Sequence, residues 1–284
     1  ERVCGIPPAS GKLPRTAQIA ATLSRVGYQP DQRIIAFDDE GGGWAGRLFW
    51  TLDVIGHYDW AYLDGGLHAW HAAGLPLAQG ASAPAPAEPC EITIDTAPIA
   101  EISDVMAAID DADSVIWDVR SAEEYAGLRS GSARRGHIPG AVNLDWELLK
   151  DVNRQLRLID NLDDVAASLG LLQAKQIITH CQTHHRSGLS YLVGRLLGLN
   201  IKAFHGSWAE WGNEIVKLLN LKQTSKGEHH GACPHCGGKD RFWIKEFNGE
   251  VMVNCRQCND FKAIQEALRS QGLWPDANKM PDLA

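Results

Sequence analysis

Short apolar runs alternate with stretches of helical periodicity from the start of the chain to about residue 213. Ile34-Ile35-Ala36-Phe37-Asp38 is an apolar run closed by an acid, which predicts a buried strand. A glycine-rich loop, Glu40 to Trp44, leads into an apolar helix pattern from Ala45 to Ile55. Gln176-Ile177-Ile178-Thr179-His180-Cys181 repeats the strand, and after a polar loop a second helix is predicted from Ser187 to Leu197. Further on, Gly65 with Trp70 finds its counterpart in Gly206 with Trp211. Asp38 and Cys181 are 143 positions apart and Gly65 and Gly206 are 141 apart, so two copies of one α/β unit are predicted. Strands alternating with helices imply, in each copy, a mostly parallel central sheet flanked by helices.

The copies occupy 1–78 and 92–214. Between them, 79–91 is rich in Pro and Ala without apolar periodicity, the composition of an exposed, semi-extended linker. In the second copy the strand Ser114-Val115-Ile116-Trp117-Asp118 and the segment Gly136 to Ala141 precede the thiol loop. The repeat offset puts their first-copy partners before residue 1, so the first copy is expected to lack its opening ~50 residues and to be unstable alone. A small third module spans 222–284. It has a Cys pair, a β-rich stretch, a second Cys pair and a helix near Phe261 to Gln271, with Gly272 as its stop.

Charge narrows the function classes. The net charge is -8, yet from Lys222 onward there are nine basic and eight acidic residues, leaving 18 basic and 27 acidic residues in the remainder. An acidic body does not gather polyanions, so any nucleic-acid contact belongs to the last module. No apolar run approaches the ~18 residues of a membrane span. The seven cysteines include two C-x-x-C pairs and three scattered residues. That pattern predicts metal and thiol chemistry in a reducing, cytoplasmic setting, not a disulfide framework. Cys4 and Cys90 have no partner spacing.

Cys181 stands where a buried strand ends and a helix is about to begin. The loop Gln182-Thr183-His184-His185-Arg186 is expected to turn backbone N–H groups inward, and the helix N-terminus adds partial positive charge. With the Arg186 guanidinium, these groups favour thiolate over thiol and suit an anionic substrate. By itself a cysteine at a strand end is as readily a small buried hydrophobe. His180, on the strand, is expected to point to the opposite face, and His137 to bond backbone. Asp118 and Arg120 read as a structural pair, with Glu124 a natural partner for Arg120. Trp44, Trp70, Trp208 and Trp211 read as packing.

Three ordered signatures carry a resemblance. Trp117-Asp118-Val119-Arg120 with Glu123-Glu124-Tyr125, then Gly136-His137-Ile138-Pro139-Gly140-Ala141, then His180-Cys181-Gln182-Thr183-His184-His185-Arg186-Ser187, resemble a rhodanese sulfurtransferase domain. The first copy, through Asp38 to Trp44 and Leu63 to Trp70, resembles the non-catalytic half of tandem rhodaneses. The resemblance implies that Cys181 takes the outer sulfur of thiosulfate as a persulfide and passes it to cyanide or a cellular thiol. It makes Cys181 and Arg186 catalytic, and Gln182, Thr183, His184, His185 and Ser187 the substrate-binding loop. Rhodanese-like dual-specificity phosphatases also combine Cys, loop and Arg. Their loop holds five residues between Cys and Arg, whereas four stand between Cys181 and Arg186.

Cys233-Pro234-His235-Cys236 and Cys255-Arg256-Gln257-Cys258 have the spacing of a closed, tetrahedral structural Zn2+ site. His229, His230 and His235 are subordinate candidates. A module this small has too little core to fold without the metal. Cys233 to Phe242, with Val253 to Cys258, resembles the N-terminal zinc ribbon of phage-type primase–helicases, which implies contact with a single-stranded DNA template. Lys239, Arg241 and Lys245, interleaved with Phe242 and Trp243, suit phosphate contact and base stacking. No Walker sequence or acidic metal triad follows, so the chain is not a complete primase. Two function classes therefore stand. One is a sulfurtransferase working through Cys181; the other is a DNA-binding zinc-ribbon protein with a vestigial rhodanese part.

Overall fold

The computed structural model describes residues 11–80, 83–132, 134–212, 222–225, 228–247 and 250–270. Cys4, Gly272 and the outer ends of the predicted 1–78 and 222–284 segments lie outside the described residues. Two compact units emerge. The first contains the described parts of Glu1–Ala122 together with Gly140–Ser207; the second contains Glu123–Pro139 with Trp208–Ala284.

In the first unit the elements run α1 (Thr16–Arg25), β1 (Ile34–Ala36), α2 (Gly43–Val54), β2 (Trp60–Tyr62), α3 (Gly66–Ala72), β3 (Ile99–Ala100), α4 (Ile102–Ile109) and β4 (Ser114–Asp118). After α5 (Ala122–Tyr125), which crosses the boundary, come β5 (Val142–Asn143), β6 (Lys150–Asp151), β7 (Arg157–Leu158), α6 (Leu162–Ser168), β8 (Gln176–His180), α7 (Arg186–Leu196) and β9 (Ile201–Phe204). Five strands form one sheet in the order β3-β9-β8-β4-β5, and every pairing in it is parallel. The chain leaves β8 toward β9 on one side and leaves β4 toward β5 on the other. The order therefore reverses between β4 and β8, and their carboxyl ends flank the crevice where α/β sheets bind ligands. Cys181 follows β8 directly.

β1 and β2 form a separate parallel pair. Ile34 faces Trp60 there as Ile177 faces Ile201 in β8–β9, the same 143 and 141 offsets that mark the sequence. The surroundings differ. β8 is covered on its far side by β4, and Ile178 is buried. Its counterpart Ile35 is 65% exposed and Phe37 is 54% exposed, and no further strand pairs with β1 among the described residues.

Helices α2 and α7 cross at close range. Both are buried over most of their length, as expected of helices covered on more than one side. The crossing depends on missing side chains: a Cβ on Gly46 would sit 2.2 Å from the carbonyl oxygen of Gly188, and one on Gly188 2.5 Å from the amide nitrogen of Arg47. Below the crossing, buried Asp53 accepts from Trp60 Nε1 at 2.8 Å and Tyr191 Oη at 2.7 Å and pairs with Arg195 Nε at 3.0 Å. Helix α2 thereby fixes the axis of the helix that carries the thiol loop.

The second unit gathers around Trp208 and a ribbon. Trp208 Nε1, on α8 (Ser207–Trp211), donates to Ser130 Oγ and to the Arg134 carbonyl, each at 3.2 Å. Strands β10 (Lys222–Ser225), β11 (Glu228–Cys233), β12 (Gly237–Phe247) and β13 (Glu250–Cys255) form an antiparallel sheet in chain order, and α9 (Phe261–Arg269) follows. Asp260 caps α9 by accepting from the Ala263 amide at 3.0 Å.

Candidate active site and four-cysteine centre

A cysteine at the end of a buried strand faces the first amides of the next helix. Cys181 is 1% exposed and borders the apolar core, yet polar donors surround its sulfur. The Ser187 hydroxyl lies 3.5 Å from Sγ, and the amides of Ser187 and Thr183 also bond it. Burial pushes the thiol up; the Arg186 charge, the Ser187 hydroxyl and the two amides together outweigh it, and the net shift is downward. The N-cap position of α7, His185, supplies no side-chain cap, so the sulfur takes over part of that role. The Cys181 amide in turn donates to Ser207 Oγ at 3.4 Å.

The first half of the chain performs the same construction around a carboxylate. Asp38, the counterpart of Cys181, accepts from the amides of Glu40 (3.2 Å), Gly42 (2.8 Å) and Ala45 (3.0 Å). The loop architecture therefore gathers backbone donors in both places, around a thiol at Cys181 and around a carboxylate at Asp38.

The loop histidines are held by the first half. His185 Nε2 bonds Glu40 Oε1, and the ring packs on Trp44 at 4.2 Å and near Trp146 at 5.6 Å. His184 adopts a left-handed backbone with φ of 56°, its carbonyl accepts from Arg47 Nη1 at 3.3 Å, and its ring meets Trp50 edge to face at 4.5 Å. Burial first, then the charges of Arg47, His205 and His185, hold its imidazole well below the usual histidine range. It is a neutral ring. Lys150, over the Trp146 ring at 3.6 Å, brings a further cation toward the loop and bonds the Glu40 carbonyl.

All seven loop positions expected from the sequence, Cys181 to Ser187, are thus in one place. Gln182, Thr183, His185 and Arg186 are half-buried; His184 and Ser187 are buried. Glu40, Arg47, Trp50, Trp146 and Lys150 were not expected at the loop; Trp44 was expected only to pack. Asp118 and Arg120 do form a buried pair, with Arg120 Nη2 2.6 Å from Asp118 Oδ2. Glu124 pairs with Arg129 at 3.6 Å, and the strand-end carboxylate of Asp118 engages the Arg120 guanidinium. His180 is buried against Asp118 at 3.6 Å, and His137 Nδ1 bonds the Tyr125 carbonyl at 2.9 Å.

In the ribbon, the sulfurs of Cys233, Cys236, Cys255 and Cys258 lie within 4.8 Å of one another. Cys236 and Cys255 are 3.5 Å apart, and Cys233 and Cys258 4.0 Å. Tetrahedral zinc with ~2.3 Å Zn–S bonds needs sulfurs about 3.8 Å apart, so the donor set fits Zn2+. Burial and neighbouring thiols push Cys233 and Cys236 up, whereas backbone donors and neighbouring thiols pull Cys255 down to about 7. On β12, Phe242 and Ile244 are buried in the ribbon core. Phe242 is therefore not available for base stacking, because the two-residue period of the strand turns it inward. Arg241 and Trp243 fall on the opposite face, exposed and half-buried respectively, and Lys239 is exposed. The Lys245 side chain lies outside the described residues, although its backbone pairs with Glu228 and Met252.

Comparison with known proteins agrees with this geometry. Residues 101–214 match the rhodanese-like domain, and residues 228–263 match the zinc-binding domain of primase-helicase. The thiosulfate sulfurtransferases of Pseudomonas aeruginosa and Azotobacter vinelandii are each 44% identical over 210 residues, covering 74% of this chain and 77% of theirs. The 3-mercaptopyruvate sulfurtransferase of Escherichia coli is 30% identical over 72% of this chain and 74% of its own. The crystal structure of the Escherichia coli 3-mercaptopyruvate enzyme aligns with a TM-score of 0.63 at 27% identity, over 72% of this chain and 78% of that one. No helix among the described residues is long and apolar enough to cross a membrane. With an ionisable cysteine cradled at the end of a central parallel strand, and relatives of this extent, the chain belongs to the rhodanese family of sulfurtransferases.

Proposed function

We propose that this chain moves sulfane sulfur from thiosulfate to a thiophilic acceptor, cyanide or a cellular thiol, through a persulfide on Cys181. The observation that carries the reading is the cradle itself: two amides and one hydroxyl bond a buried sulfur, and the Arg186 charge favours its ionised form. The Cys181 thiolate attacks the outer sulfur of thiosulfate. A Cys181–S bond forms, the S–S bond of the donor breaks, and sulfite leaves with the electron pair. Arg186 orients the dianionic donor and offsets its charge, while the amides that held the thiolate hold the persulfide anion. The acceptor then attacks the outer sulfur and regenerates the thiolate. General-base help is unnecessary because the nucleophile is ionised beforehand, which agrees with a neutral, buried His184. The first half, 1–78, contributes Glu40, Trp44 and Arg47 and no nucleophile, as the non-catalytic half of a tandem pair would.

The test is mass spectrometry after thiosulfate treatment. The peptide holding Cys181 gains ~32 Da, the mass of one sulfur, and cyanide removes it. An adduct confined to the ribbon cysteines would sink the assignment.

The exposed Lys239 and Arg241, with half-buried Trp243 on the same strand, favour a second role for the ribbon as a contact for single-stranded DNA. Oligothymidylate binding to the full chain is expected to weaken as salt rises. Lys239→Ala or Arg241→Ala each lowers the salt slope by about 0.7, and Trp243→Ala weakens binding about tenfold. Binding that ignores both salt and these substitutions rules the contact out.

A further inference from the structure

Ser187 has one hydroxyl proton and two neighbours that compete for it. Its Oγ is 3.5 Å from Cys181 Sγ and 2.8 Å from His184 Nδ1. If Nδ1 is bare, it takes the Ser187 proton and the sulfur loses a donor. If Nδ1 carries hydrogen, the ring donates to Oγ and the hydroxyl is free to donate to sulfur. A neutral imidazole has one N–H, so the choice is between two tautomers. The competing form would bury Nε2–H without an acceptor, since Nε2 is buried and has no hydrogen-bond partner among the described residues. A buried donor without an acceptor is costly, whereas a hydroxyl donating to a thiolate is charge-assisted. The sulfur therefore decides the tautomer.

We propose that His184 is a positioning residue for sulfur transfer, which as its Nδ1–H tautomer turns the Ser187 hydroxyl proton toward Cys181 Sγ. This rests on the reading of Cys181 as the nucleophile and goes beyond it, because His184 itself does not touch the reacting sulfur. The first half of the chain maintains the arrangement. Arg47 on α2 anchors the His184 carbonyl, and Trp50 one turn later walls the ring. The charged and titratable groups facing the cluster are Arg186 on α7, Arg47 on α2, His185 in the loop and His205 after β9.

Two substitutions separate tautomer from bulk. Asn at 184 places an amide N–H near the Nδ1 position and tolerates the left-handed backbone; Gln reaches toward the Nε2 position instead. The readout is the pH dependence of iodoacetamide labelling of the Cys181 peptide in the full chain, followed by mass. Ser187→Ala and His184→Gln are expected to raise the thiol midpoint by about one pH unit, while His184→Asn keeps it near the wild-type value. Asn and Gln behaving alike, whether both raised or both unchanged, overturns the proposal. A wild-type midpoint at the ordinary thiol value instead overturns the nucleophile reading. Nitrogen-15 shifts of the wild-type histidines need no substitution: hydrogen on Nδ1 of His184 is expected, and hydrogen on Nε2 overturns the relay.

Discussion

Cys181→Ser is expected to lower thiosulfate-to-cyanide turnover by at least about a thousandfold while leaving thermal stability almost unchanged. Serine is close in size to cysteine, and the site already supplies hydrogen-bond donors to whatever atom stands there. A hydroxyl is not ionised at neutral pH, however, so it cannot attack divalent sulfur, and it forms no persulfide. Arg186→Ala should fall between this variant and wild type. The loop amides persist, but the thiol loses its nearest full positive charge, and its midpoint moves back up toward the ordinary cysteine value. Steady-state turnover on the acid side reports the sign. Because the folded thiol is shifted downward, the rate falls, as pH drops, through a midpoint lower than that of an ordinary cysteine. A Cys181→Ser chain with near-normal turnover would falsify the mechanism.

Zinc removal carries the largest expected effect on stability. The ribbon core consists of Phe242, Ile244, Val253, Ile264 and Leu268 with the sulfurs of Cys233 and Cys255. A core of that size supplies only ~3–5 kcal/mol, and binding of a structural zinc contributes roughly 10 kcal/mol or more. Chelation, or Cys255→Ser, is therefore expected to unfold β11 to β13 and α9. Amide exchange of Phe242, Ile244 and Val253 should become as fast as in an unstructured chain. Sulfur loading of Cys181 continues, since no zinc ligand belongs to the thiol loop. Unchanged exchange protection in the chelated protein would show that the ribbon holds itself together without metal.

What the sequence made legible was local. A strand, a cysteine, a polar turn and a helix follow one another within a dozen residues, so apolar runs and turn chemistry suffice to place Cys181, Ser187 and Arg186. The ribbon ligands are equally readable, because two knuckles of fixed spacing bring their own geometry. The remainder came from crossing distances. Glu40 and Arg47 are over a hundred positions from His184 and His185, and they meet the loop only because Gly46 and Gly188 let α2 and α7 touch. Those glycines were visible in the sequence, but nothing near them says that they face each other. Phe242 is a different case. Its alternation with Arg241 and Trp243 along one strand is enough to turn it inward.

The Asp38 carboxylate is a tethered counterion that never dissociates. It fills its own amide nest, so a covalently held side chain stands where a free anion would otherwise bind. On the proposed persulfide reading, the sheet unit offers one loading site per polypeptide, Cys181, because the matching position of the first half holds a carboxylate.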